Sequence, residues 1–322
     1  MAAPPLPEEL VEEALLRFPP DDPASLARAA LVSKQWCRLI CGAHHGFSRR
    51  FREFHRSPPL LGFLFIRFNP AGPASRGWRA VHSGQGRVLL HHASTNDNDD
   101  LLVVWDPITD EQRELRLPNW NAAVLCAAAA ATGGGCNHLD CHRGPFVVIL
   151  VGTIFCNRSE TFSCVYSSEA DGWSEPVFDR LPYQFLDPGS VGALLGNSLY
   201  FMYESTQRIL KYDLLTQEMS AIPDPVSSIG TGRRTVLMAT EDGRLGLATV
   251  RESRLYLWSR EQGPNGDAGW TQSRVINLDA LIPRNTISTS AQAAGFADNG
   301  AGGVVFVWTT AGWPMSGAAG AA

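Results

Sequence analysis

The sequence predicts an α+β multidomain chain. A small all-α module occupies residues 1–57, an all-β propeller-like repeat domain residues 58–310, and a low-complexity tail residues 311–322. Three observations predict it. Apolar residues recur at helical spacing only in the first 57 positions. From Pro58 onward, short runs rich in Val, Leu, Ile and aromatic residues alternate with Gly, Pro, Asn and Asp. An aromatic strand end also returns every 46–50 residues along much of that stretch.

Composition narrows the classes of function. The 322 residues are 44% hydrophobic and 18% charged, enough apolar material for a sizeable core. A net charge of −5 speaks against a nucleic-acid partner, which would need a basic face. The longest apolar run, 122–131, is half of what spans a bilayer, and the first residues lack the basic start and apolar core of a secretory signal. No membrane partner is expected, and the expected location is the cytoplasm or nucleus. Seven cysteines, odd in number and irregular in spacing, fit thiols in a reducing compartment better than a disulfide framework.

The helical module reads in order. Leu6, Leu10, Val11, Ala14, Leu15 and Phe18 fall along one helical stripe, with Glu8 and Glu9 at the positive end of its dipole. Pro19-Pro20 ends that helix. Asp22-Pro23 restarts one, an N-cap residue followed by proline at the first helical position. Val32, Trp36, Leu39 and Ile40 then form a second stripe, and Phe47, Phe51 and Phe54 a third. A module of this size has a thin core and often depends on a partner.

The order of these residues carries a resemblance. Leu6-Pro7-Glu8-Glu9-Leu10-Val11, then Phe18-Pro19-Pro20-Asp21-Asp22-Pro23, then Leu31-Val32-Ser33-Lys34-Gln35-Trp36 closely resembles an F-box. The resemblance implies docking to a Skp-type adaptor and, through it, entry into a cullin-based ubiquitin ligase. It also implies that Leu6, Pro7, Leu10, Val11, Leu15, Leu26, Val32, Trp36 and Leu39 meet the adaptor. The chain departs from the commoner pattern at Ala14, Phe18, Ser33 and Cys37.

The β region is expected to hold strands at Leu60–Phe68, Leu101–Trp105, Phe146–Val151, Ser198–Tyr203, Arg208–Tyr212, Arg254–Trp258 and Val304–Trp308. Val104-Trp-Asp-Pro-Ile-Thr-Asp-Glu111 parallels Lys211-Tyr-Asp-Leu-Leu-Thr-Gln-Glu218. Tyr166, Tyr212, Trp258 and Trp308 lie 46, 46 and 50 residues apart, and an Ala/Gly insertion at 122–135 accounts for the 61 between Trp105 and Tyr166. Gly86, Gly196 and Gly243 precede their aromatics by 19, 16 and 15 residues, the interval of a recurring hairpin. Such periods mark propeller blades, and the length allows five or six; a β-sandwich is the competing architecture. Leu101-Leu-Val-Val-Trp-Asp-Pro-Ile-Thr, Val165-Tyr-Ser-Ser-Glu, Ile209-Leu-Lys-Tyr-Asp-Leu and Leu255-Tyr-Leu-Trp-Ser-Arg resemble the kelch-related, propeller-like C-terminal region of plant F-box proteins. The tail from Ala311 is unsuited to a strand, which predicts an incomplete ring or an altered C-terminus.

Other signals point to no chemistry. Cys136-Asn-His138-Leu-Asp-Cys141-His142, with Cys126 nearby, has the residue types of a zinc site. Its spacing is too loose for the common paired knuckle, so an exposed loop with no metal and no cofactor is expected. No nucleophile elbow, P-loop, HExxH or dinucleotide fingerprint occurs. Arg49, Arg50, Arg52 and Arg56 read as the solvated face of a helix. The expected function is therefore non-catalytic: a substrate-recognition subunit of an SCF-type ligase, whose propeller holds an unknown target protein. The alternative is a propeller scaffold, or a decayed family member, that never enters a ligase.

Overall fold

The computed structural model describes residues 7–20, 22–42, 46–55, 78–92, 101–107, 109–116, 121–131, 136, 141, 144–155, 159–179, 181, 185–187, 192–204, 208–225, 235–240, 242–262, 268–279, 281, 291–298 and 303–309. The chain divides near Phe63 into a helical unit and a β unit. The expected strand at Leu60–Phe68 and the tail from 311 lie outside the described residues.

Among the described residues, four helices make the helical unit: α1 (Glu8–Leu16), α2 (Pro23–Ala30), α3 (Lys34–Cys41) and α4 (Phe47–His55). Their apolar stripes converge on Val11, Leu15, Leu16, Ala29, Leu39 and Phe47, with Phe18, Leu26, Trp36, Ile40 and Phe51 packed around them. Asp22 and Pro23 stand at the N-cap and first helical position of α2 as expected, and the Asp22 carboxylate engages the Ser25 hydroxyl. That hydrogen bond, the largest influence on it, holds the carboxyl below its ordinary range. Ser33 caps α3 by accepting from the Trp36 N–H at 3.1 Å. Val32, read from the sequence as part of the third helix's stripe, lies in the turn before that cap. His55 closes the unit, its Nε2 lying 2.7 Å from the Leu16 carbonyl at the end of α1.

The β unit is a run of antiparallel sheets, each built from strands consecutive in sequence. The first holds β1 (Trp78–Gly84), β2 (Arg87–His92), β3 (Leu101–Trp105) and β4 (Gln112–Arg116). β5 (Asn121–Cys126) leads through the short helix α5 (Ala127–Ala131) to β6 (Phe146–Phe155), β7 (Ser159–Ser167), β8 (Gly172–Trp173) and β9 (Val177–Asp179), which form the second. The third comprises β10 (Ala193–Leu195), β11 (Ser198–Met202), β12 (Arg208–Asp213) and β13 (Met219–Pro223). The fourth comprises β14 (Thr235–Ala239), β15 (Leu245–Arg251), β16 (Arg254–Gln262) and β17 (Ala268–Asn277). β18 (Ala291–Asp298) and β19 (Gly303–Thr309) pair as a final hairpin.

The sheets stack face to face, and each shared core lies between neighbours. Val81, Leu89, Val104, Ala122, Val124 and Val148 join the first sheet to the second. On the opposite faces of the same strands, Ala123, Leu125, Val147 and Ile149 meet Leu199, Phe201, Leu210 and Tyr212 of the third. Met202 and Ile209 meet Leu237, Leu245 and Leu247 of the fourth, and Ala248 and Val250 share a core with Ala293 and Val305 of the hairpin. Successive residues of one strand thus bury against two different sheets, as period-two alternation requires. Repeated meanders packed in this way are the build of propeller blades. A helical module followed by a β-rich repeat domain is the fold class the sequence predicts.

The repeats seen in the sequence are repeated turns. Between β3 and β4, Asp106 Oδ1 accepts from the Thr109 N–H at 3.2 Å and Asp110 takes a φ of 60°. Between β12 and β13, Asp213 Oδ1 accepts from the Thr216 N–H at 3.2 Å and Gln217 takes a φ of 58°. Gly86, Gly196 and Gly243 all have positive φ in the turn joining the first two strands of their sheets, where a side chain would be strained. Trp105, Tyr166, Tyr212 and Trp258 all fall on the third strand of a sheet. Trp308 does not: it stands on β19, the second strand of its hairpin.

The Ala-rich 122–131 stretch also differs from expectation. Only its second half lies in an insertion. Ala122–Cys126 belong to β5, fully buried where two sheets close on it, and small side chains fit that crowded place. Among the described residues no helix is long and apolar enough to cross a membrane.

Candidate functional site

The helical unit presents large apolar side chains to solvent. Leu10 on α1 is 54% exposed, and Leu31 and Val32, in the turn between α2 and α3, are 85% and 67% exposed. Phe54 near the end of α4 is also exposed. A unit with so few core residues would gain from burying these groups in a partner, since each large aliphatic side chain taken from water is worth roughly 1.5–3 kcal/mol.

The residues expected to meet an adaptor divide by environment. Pro7, Leu10 and Val32 are exposed, Leu26 and Trp36 are half-buried, and Leu6 lies outside the described residues. Val11, Leu15 and Leu39 are core residues, between 1% and 4% exposed. They hold the helices that display the others and offer a partner no surface of their own. Leu31, absent from the expected set, is the most exposed large apolar side chain among the described residues. The signal for it was its place directly before Val32 in a turn, outside any helical stripe.

The helices are positioned by local bonds. Pro7 opens α1, its carbonyl accepting from the N–H groups of Leu10 and Val11 at 3.1 and 3.2 Å. Arg50 on α4 pairs with Glu12 on α1 at 2.7 Å, and Arg49 pairs with Glu53 at 2.9 Å. Two of the four arginines read as a solvated basic face are therefore neutralised locally.

Residues 5–45 match the F-box domain family. F-box domains bind Skp1-type adaptors in SCF ubiquitin-ligase complexes, and F-box proteins are typically non-catalytic. The exposed Leu10, Leu31 and Val32 all fall inside the F-box segment. A comparison with curated proteins finds no match. Among solved structures, the chain is similar to a subtype N10 neuraminidase-like protein of A/little yellow-shouldered bat/Guatemala/060/2010, at 8% identity and a TM-score of 0.42, covering 69% of this chain and 73% of that one. It is also similar to the Cps50 (Swd1) β-propeller domain of Myceliophteria thermophila, at 13% identity and a TM-score of 0.37, covering 71% and 69%.

One further group of side chains has metal-ligand chemistry. The sulfurs of Cys126, Cys136 and Cys141 all lie within 4.8 Å of one another, the first buried and the others half-buried. Burial pushes the Cys141 thiol up to about 12, and the neighbouring thiols push it the same way. Burial likewise raises Cys126. The exposed loop expected from the sequence is thus, at its two described cysteines, folded back onto the end of β5. His138 and His142 lie outside the described residues.

Proposed function

We propose that this chain is the substrate-recognition subunit of an SCF-type ubiquitin ligase. Its F-box segment docks a Skp-type adaptor, which links it to a cullin in the cytoplasm or nucleus. The observation that carries this reading is the exposure of Leu10, Leu31 and Val32 on a helical unit that matches the F-box domain. The β unit then holds a target protein and performs no bond chemistry. It raises the local concentration of target lysines beside the ubiquitin-loaded enzyme. The recurring aromatic-Asp turns at 104–111 and 211–218 support a kelch-related assignment of the kind found in plant F-box proteins.

Capture of a Skp1-type adaptor by wild type, Leu10→Asp and Val32→Asp tests the proposal. Both side chains are exposed, so both variants keep the native circular dichroism. Each weakens capture by about 10- to 100-fold, the loss of one well-packed apolar contact. A folded wild type that captures no adaptor overturns the reading and leaves a propeller scaffold outside any ligase.

A further inference from the structure

The second sheet carries a long connection between β5 and β6. β5 ends at Cys126, whose register partner Phe146 begins β6, so residues 127–145 leave the sheet and return to the same place. The Ala127 N–H donates to the Pro145 carbonyl at 2.9 Å, closing the base of the loop. Arg87 on β2 donates from Nη2 to the Gly144 carbonyl at 2.7 Å and lies 4.9 Å from the centre of the Phe146 ring. Within this closed loop, Cys136 and Cys141 come back onto Cys126.

We propose that Cys126, Cys136 and Cys141 form a zinc-binding site that fastens the 127–145 connection to the second sheet. Zinc bound to thiolates at about 2.3 Å in a tetrahedron sets sulfurs about 3.8 Å apart. The three sulfurs need to close by at most about 1 Å, a movement side-chain rotation at Cys136 and Cys141 supplies. Cys126 is the fixed point. Its own N–H donates to Gln85 Oε1 at 2.7 Å, and the Ala129 N–H donates to its sulfur at 3.2 Å, a bond that orients the ligand and favours the thiolate. Three soft thiolates select zinc over the hard cations magnesium and calcium. On binding, three S–H bonds break, three protons leave to solvent and three sulfur lone pairs are donated to the metal. No electron changes hands. A fourth ligand completes the tetrahedron. The benefit is conformational, because a clip across a long connection removes the entropy of its open forms.

The full-length protein, purified under reducing conditions, is assayed for bound metal, then stripped and titrated with cobalt(II). Stoichiometric zinc is expected, along with the thiolate-to-cobalt charge-transfer absorption of three sulfur ligands. Cys136→Ser and Cys141→Ser, chosen because both residues are half-buried, lower zinc affinity by about 100-fold or more. Cys37→Ser on α3 leaves it unchanged. Reduced, folded wild type that takes up neither zinc nor cobalt overturns the proposal. So does undiminished affinity in both serine variants, or a disulfide among the three cysteines as the stable form of the protein. Should either variant fail to fold, the cobalt spectrum of wild type alone decides.

Discussion

His82 Nδ1 accepts a hydrogen bond from the backbone N–H of Val124 at 3.3 Å, joining β1 of the first sheet to β5 of the second. An acceptor at Nδ1 requires the neutral ring, and burial pushes the His82 pKa down to about 4 from an ordinary 6.5. Between those values the unfolded chain binds a proton that the folded chain refuses, so stability rises with pH across the window. The contribution is whole above about pH 6.5 and is lost as the pH falls toward 4, roughly 3 kcal/mol in all. His82→Asn keeps an acceptor near the same place and cannot titrate. Denaturant unfolding from pH 7 to pH 4 will show wild type losing its margin over this variant by that amount; a constant margin would refute the assignment.

The Asp213 carboxylate gathers three donors around the turn after β12. Asp213 accepts from the N–H groups of Leu215 and Thr216 at 3.0 and 3.2 Å and from Asn197 Nδ2 at 2.9 Å. Desolvation is the largest influence on its acidity and opposes ionisation, but the Thr216 and Leu215 bonds with Lys211 and Asn197 together bring it below the ordinary range. Asp213→Ala leaves these donors without their acceptor and lowers stability by about 1–2 kcal/mol, measured by urea unfolding at neutral pH.

Gly246 and Gly269 separate space from composition. A Cβ on Gly246 would lie 2.9 Å from Thr240 Cγ2, 3.0 Å from Met238 Cγ and 3.1 Å from the Trp258 carbonyl oxygen, whereas one on Gly269 meets nothing within 4 Å. The carbonyl belongs to the paired neighbour strand β16 and cannot yield without moving the sheet. Gly246→Ala is expected to cost about 1–3 kcal/mol, and Gly269→Ala to stay within about 0.5 kcal/mol of wild type. Equal melting temperatures for the two would contradict this.

Leucines 10 and 15 lie on the same helix with opposite duties. Leu15 is 1% exposed and Leu10 is 54% exposed. Leu15→Ala removes packing from a thin core and costs about 2–5 kcal/mol, enough to melt so small a unit. Leu10→Ala leaves the unfolding transition in place and shows its effect only in adaptor capture.

Much of the fold was legible because its signals are local. Gly86, Gly196 and Gly243 sit where a hairpin demands positive φ, and Asp106 and Asp213 cap turns through bonds two or three residues long. Short range makes such chemistry visible as a pattern of letters. β5 was not legible, since Ala122–Cys126 is buried on both faces, shows no alternation, and carries Val124 as its one β-branched side chain. The cysteines were visible as zinc-type residues but were set aside on their loose spacing, because Cys126 approaches the other two through strand pairing and not through sequence spacing. In the helical unit, periodicity found the stripe but not which members face inward. Leu10 and Val11 are adjacent in sequence and opposite in environment.

Among the described residues, the first and second sheets, the third and fourth, and the fourth and the final hairpin touch through their opening strands, β1 with β5, β10 with β14 and β14 with β18. Each of these junctions joins meanders that follow one another in the chain, an arrangement compatible with assembly in the order of synthesis. The four described strands of the first sheet all lie before residue 117, and the later meanders follow them in sequence. No opening strand of these pairs waits for the far end of the chain, so the separations to be closed stay short and the search stays shallow. A domain with this many strands would fold slowly if its pairings were distant; pairing strands with their sequence neighbours keeps the contact order low.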